Sequence, residues 1–165
     1  MTPEHERRRT LPTAQDTRDL GRELGAVLRE GDLVVLTGDL GAGKTTFTQG
    51  LAEGLGVRGP ITSPTFVIAR VHPSVTGGPD LVHVDAYRLS GGAELDDLDL
   101  DASLEKSVTV VEWGEGLAES LAAQRLEVLL QRSGSEDEEE QERVAVLRGV
   151  GERWADGLAE VGQER

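Results

Sequence analysis

Apolar residues along this chain fall into short unbroken runs separated by longer stretches in which they recur at helical spacing. "DLVVLTG" (residues 32–38) and "SVTVVEW" (107–113) are almost wholly apolar, as expected of parallel strands covered on both faces. From Thr13, Leu20, Leu24, Val27 and Leu28 share one face of a 3.6-residue period, which predicts a helix closed by Gly31. Phe47, Leu51 and Leu55 recur every four residues and predict a second helix that stops at Gly56. Gly50 and Gly54 weaken that helix, and close packing on a sheet would explain them.

Two β-rich runs follow, "PTFVIARVH" (64–72) and "DLVHVDAYRL" (80–89), joined by "PSVTGGP". A connector this short cannot hold a crossover helix, so the pair should be antiparallel. "RLEVLLQR" (125–132) and "RVAVLRGV" (143–150) predict a second hairpin around "SGSEDEEEQE", an acidic loop expected to be solvated and floppy. "ELDDLDLDASLEK" (94–106) reads as an acidic helical or irregular link, and Trp154, Leu158 and Val161 have the spacing of one short terminal helix. Residues 1–12 read as a flexible tail and 13–162 as one domain, with loop 133–142 mobile.

Composition narrows the choices. At 165 residues with 37% apolar content, one domain with a proper core is expected. The absence of cysteine excludes a disulfide framework and thiolate metal sites, and fits a cytoplasmic protein. No apolar run approaches the roughly 20 residues of a membrane helix, and no membrane partner is expected. The opening "MTPEHERRRTLPT" has arginines but no apolar segment behind them, so it is not expected to be a secretory leader. With 31 acids against 17 bases, a net charge of −14 and no basic stripe, the chain is poorly suited to grip a nucleic-acid backbone alone. A basic protein partner is compatible with that charge, which also serves solubility.

Gly38–Thr45, "GDLGAGKT", satisfies G-x-x-x-x-G-K-[ST] between a predicted strand and a predicted helix. Glycines allow successive N–H groups to turn inward around an anion, and the following helix points its positive end at the phosphates. Lys44 can reach the β- and γ-phosphates and the Thr45 hydroxyl can ligate Mg²⁺. The nucleotide-binding candidates are therefore Asp39, Gly41, Ala42, Gly43, Lys44, Thr45 and Thr46. Asp39 is either a backbone-capping turn residue or a group that orients water or metal. The pattern and its setting predict an α/β fold of the P-loop NTPase kind: a mixed, mainly parallel sheet flanked by helices, with antiparallel hairpins.

Phosphoryl transfer also needs a metal beside the phosphates and a group that aligns the attacking water. One or two carboxylates suffice for Mg²⁺, which keeps several waters. Asp85 ends "LVHVD" and Glu112 ends "VTVVE", each forced to the sheet's edge by the apolar run before it. With Lys44 they are the catalytic candidates, and Thr45 and Glu112 the metal ligands. Ser63, Pro64, Thr65 and Phe66 could form a switch segment or an ordinary turn. His83, within an alternating strand, reads as a packed or surface histidine. Tyr87, Arg88 and Trp113 could serve the core, the nucleotide or a partner.

Four motifs in order, "GDLGAGKTTF", "SPTF", "HVDAYRL" and "VEWGE", resemble the TsaE family over about Leu11 to Val150. The resemblance implies a bacterial ATPase of modest activity, using ATP and Mg²⁺, that supports formation of threonylcarbamoyladenosine on tRNA. It implies the partners TsaD and TsaB, with tRNA met only indirectly through them. Carried over by position, Lys44 would bind phosphate, Thr45 and Glu112 would hold the metal, and Asp85 would be the second acid. Ser63 to Phe66 would resemble the switch and Trp113 would stand beside the metal carboxylate. "LPTAQDT" resembles a segment approaching the adenine side, with Ala14 where some relatives have an acid. Gly114 replaces the proline or alanine often found after the tryptophan, and "SEDEEEQE" is peculiar to this chain. Two other functions share the loop: a small-molecule kinase, disfavoured by the lack of an arginine-rich lid, and a nucleotide-dependent assembly module with little turnover.

Overall fold

The computed structural model describes residues 4–38, 43–57, 69–85, 106–112, 124–132 and 142–151, with Trp154. Their order is β1 (Glu4–Leu11), α1 (Ala14–Val27), β2 (Leu33–Gly38), α2 (Lys44–Leu55), β3 (Ala69–His72), β4 (Asp80–Asp85), β5 (Ser107–Glu112), β6 (Arg125–Arg132) and β7 (Arg143–Val150). They make a seven-stranded sheet in the order β1-β7-β6-β2-β5-β4-β3. Its centre is parallel: β2 pairs with β5 and β6, and β4 with β5. Its flanks are antiparallel: β1 with β7, β7 with β6, and β3 with β4. The two hairpins and the mixed α/β class match the sequence pattern.

Burial explains why β2 and β5 take the middle. Every residue of β5 is buried, as are Leu33, Val34, Val35 and Leu36 of β2. Such apolar, β-branched segments lose least where both faces and both edges are covered. The core cluster packs Leu20 and Leu24 of α1 and Phe47, Leu51 and Leu55 of α2 with Val34, Leu36, Val108, Val110, Leu126 and Val128 of the sheet.

Helix α1 opens with a reciprocal cap. Asp16 N–H donates to Thr13 Oγ1 at 3.2 Å, and Thr13 N–H donates to Asp16 Oδ2 at 2.9 Å. The helix ends at Val27 rather than at Gly31, because Leu28 turns extended after its N–H reaches Leu24 O at 3.1 Å. Gly31, at φ 90°, instead forms the turn into β2 and donates its N–H to Ser107 O at 3.1 Å.

The expectation that Gly50 and Gly54 pack on a sheet is corrected: they pack on α1. A Cβ on Gly50 would lie 1.9 Å from Arg18 O, and one on Gly54 2.1 Å from Arg22 O. Gly21 and Gly25 of α1 answer them, 2.1 Å from Phe47 O and 2.2 Å from Leu51 O. The contacts advance together along both helices, so α1 and α2 run parallel, backbone against backbone. Glu53 of α2 binds Arg18 and Arg22 of α1 across the solvent side of this seam.

The expected flexible tail is also corrected, since Glu4–Leu11 is an edge strand in full register with β7. Its charged "EHERRRTL" lacks apolar alternation, yet such residues suit an edge, where they discourage pairing with other chains. Arg9 reaches Glu23 of α1, tying the edge to the helix layer. Loop residues 133–141, most of the acidic link and the terminal helix other than Trp154 lie outside the described residues.

Candidate functional site

Open α/β sheets bind ligands outside the carboxyl ends of their strands, where the chain reverses its direction of strand addition. Here that place is the end of β2, because the chain lays β4 and β5 on one side of it and then crosses to β6 on the other. Leu36 is level with Glu112, and Glu112 is level with Asp85. The ends of β2, β5 and β4 therefore form one rim. Gly38 extends two residues past that level, about 7 Å at strand rise.

Helix α2 starts at Lys44, and its cap, Gly43, has φ 99° and ψ 17°. A Cβ at Gly43 would find room, its nearest neighbour being Thr17 Cγ2 at 3.5 Å, so the left-handed torsion is what selects glycine. Gly43 supplies no side-chain cap and the first turn of α2 carries no acid. The positive end of the helix is thus left without a neutralising side chain of its own. Because α1 runs parallel and the buried Thr17 sits beside Gly43, a second helix begins close by. The "LPTAQDT" segment, which ends at Thr17, therefore comes beside the start of α2.

Lys44 is the buried cation of the site. It is only 8% exposed, and its Nζ donates to Gly38 O at 2.6 Å, reaching back to the end of β2. Thr48 Oγ1 donates to Lys44 O at 2.8 Å, and Phe47 N–H to Gly43 O at 2.9 Å, fixing the first turn. Thr45 and Thr46 are half-buried on the same turn.

Glu112 is 4% exposed, and its Oε2 lies 2.9 Å from Nε2 of the fully buried His83. A carboxylate held this deep is costly unless a donor meets it, and His83 Nε2 stands in place to be that donor. His83 pairs with Val110, so it stands two residues before Glu112 on the same sheet face. The sequence reading had His83 as a packed or surface residue, and packed it is, but against the site's own carboxylate. The available signal was that His83 and Asp85 alternate onto one face of a strand neighbouring Glu112's.

Asp85 is placed by its backbone at the end of β4, level with Glu112. Its side chain, and Asp39, Gly41, Ala42, Ser63, Pro64, Thr65, Phe66, Tyr87, Arg88 and Trp113, lie outside the described residues. Among the described residues no group of three or more His, Cys, Asp or Glu forms a metal cage, and no helix is long and apolar enough to cross a membrane. A surface cavity of about 630 Å³ lies between β1 and α1, lined among others by Arg9, Asp16, Arg22 and Glu23; neither Lys44 nor Glu112 lines it.

Comparison with known proteins identifies a family. Residues 11–143 match the family model described as "Threonylcarbamoyl adenosine biosynthesis protein TsaE". The chain is 63% identical to the tRNA threonylcarbamoyladenosine biosynthesis protein TsaE of Streptomyces coelicolor, over 84% of this chain and 93% of that one. It is 54% identical to the protein of the same name from Mycobacterium bovis, over 78% of this chain and 80% of that one. The crystal structure of YdiB from Bacillus subtilis superposes with a TM-score of 0.73 at 31% identity, covering 97% of this chain and 95% of that one.

Proposed function

The chain belongs to the TsaE family, and from that premise we propose that it is a magnesium-dependent ATPase serving threonylcarbamoyladenosine formation on tRNA. The name its relatives carry supports the pathway. The observation that supports the nucleotide reading is the buried Lys44 ammonium held on Gly38 O, with a glycine-capped helix start beside it. A phosphate oxygen in that place would take over the lysine's hydrogen bond, and charge-assisted bonds of this kind are about twice as strong as neutral ones.

The donor set fits Mg²⁺ bound together with a nucleotide. Thr45 and Glu112 offer hard oxygen ligands, and Mg²⁺ fills its remaining positions with phosphates and water rather than with a protein cage. Bound there, the metal would neutralise charge on the β- and γ-phosphates. The protein's share is to grip the phosphates with Lys44 and the loop amides, to set Glu112 at the rim of the sheet, and to bring Asp85 level with it.

With net charge −14 the chain is a poor polynucleotide binder. We assign contact with tRNA to its partners, TsaD and TsaB, and the place of work to the cytoplasm. ATP turnover would then reset that assembly. The test is phosphate release from ATP by this chain alone and with TsaD and TsaB, with and without Mg²⁺. Release that requires Mg²⁺ and changes with the partners is expected. Transfer of the γ-phosphate to a small acceptor, or no nucleotide binding at all, would overturn the reading.

A further inference from the structure

We propose that His83 is a positioning residue for the metal carboxylate: its Nε2–H holds Glu112 Oε2 so that the other oxygen faces the nucleotide side. This rests on the reading of Glu112 as a magnesium ligand.

Three observations carry it. His83 is 0% exposed and Glu112 4%, so the pair at 2.9 Å meets without competition from bulk water. As a metal-binding carboxylate Glu112 offers only acceptors, and the hydrogen it shares with His83 then belongs to Nε2. The other ring nitrogen, Nδ1, is buried with no hydrogen-bond partner among the described residues. A histidine kept solely to satisfy the interior would be expected to use both nitrogens. Here one nitrogen goes unmet while the other is spent on a single oxygen.

The backbone makes the arrangement rigid. His83 and Glu112 lie on adjacent parallel strands in fixed register, one pair of residues apart on the same face. Leu81 and Val110, on the same face as the ring, are buried in the core cluster and leave it little freedom to swing. Outer partners of this kind orient a ligand, and their loss commonly costs 10- to 100-fold in metal affinity.

The test measures Mn²⁺ affinity in the complex of the whole chain with ADP, by electron paramagnetic resonance, beside metal-free ADP affinity and thermal midpoint. His83→Leu keeps the bulk and removes the donor. About a 10-fold or greater loss of Mn²⁺ affinity is expected, with metal-free ADP binding within about twofold. His83→Gln, whose amide nitrogen reaches the place of Nε2, should recover most of the loss. If His83→Leu fails to fold, His83→Asn, whose amide falls short of Glu112, takes its place in the comparison with His83→Gln. Wild-type Mn²⁺ affinity in the folded variant that lacks the donor, or equal losses in the glutamine variant, would overturn the proposal. Glu112→Ala separates the two levels. Loss of Mn²⁺ affinity there but not at His83 sinks only the positioning role, whereas no loss at Glu112 sinks the metal reading and this inference with it.

Discussion

Replacing Gly50 with alanine should force α1 and α2 apart. The new Cβ would sit 1.9 Å from Arg18 O and 2.8 Å from Arg18 C. A tolerable carbon–oxygen contact needs about 3.3 Å, so the helices would have to separate by roughly 1.4 Å. The obstacle is backbone inside a helix, which cannot step aside as a side-chain tip can. A gap approaching 1 Å already removes a quarter to a half of each affected contact's attraction. Overpacking of this kind costs about 1–3 kcal/mol, and a rigid backbone obstacle places it at the upper end. Alanine returns about 1 kcal/mol through its better helix propensity, for a net loss of about 2 kcal/mol. At this chain length that lowers the thermal midpoint by about 4–8 °C. Urea and thermal unfolding would measure it, with Gly78→Ala as control, since a Cβ there meets nothing closer than Thr76 Oγ1 at 3.6 Å. Because α2 begins at Lys44, nucleotide affinity should fall alongside stability. A Gly50→Ala variant as stable as wild type, or more so, would show that propensity outweighs the clash and would refute the close helix seam.

Lys44→Ala should remain folded yet lose about 10- to 100-fold in nucleotide affinity, the worth of one charged hydrogen bond to phosphate; titration calorimetry with ADP would read it. Glu112→Ala should keep most metal-free nucleotide binding while losing magnesium-dependent phosphate release, and equal hydrolysis by wild type and variant would remove Glu112 from the metal. Trp154→Ala, at a side chain 1% exposed within the core cluster, should cost about 3–5 kcal/mol in urea unfolding. Thr13→Ala, which breaks the reciprocal cap with Asp16, should cost about 1 kcal/mol in the same assay.

The sheet's centre was legible because β2 and β5 are apolar on both faces, a pattern with few other uses. The loop's ends were legible because the torsion at Gly43 and the reach of Lys44 are demands that only a few residue types meet. What stayed hidden depends on partners distant in sequence. Nothing in "EHERRRTL" announces a strand, since an edge strand is held by its ladder to β7 rather than by a buried face. The spacing of Gly50 and Gly54 revealed a close approach but not that its other side was Gly21 and Gly25 on α1. His83 looked ordinary because its partner, Glu112, lies 29 residues away on the next strand. The end of α1 was misplaced for a simpler reason: Gly31 serves a turn three residues beyond the helix cap.

The most direct measurement is a crystal structure of the chain with a non-hydrolysable ATP analogue and Mg²⁺. Lys44 Nζ should have left Gly38 O for a phosphate oxygen, with Thr45 and Glu112 turned toward the metal or its waters. Triphosphate bound elsewhere, or Glu112 facing away with Lys44 still on Gly38, would contradict the assignment of this loop and strand rim as the nucleotide site.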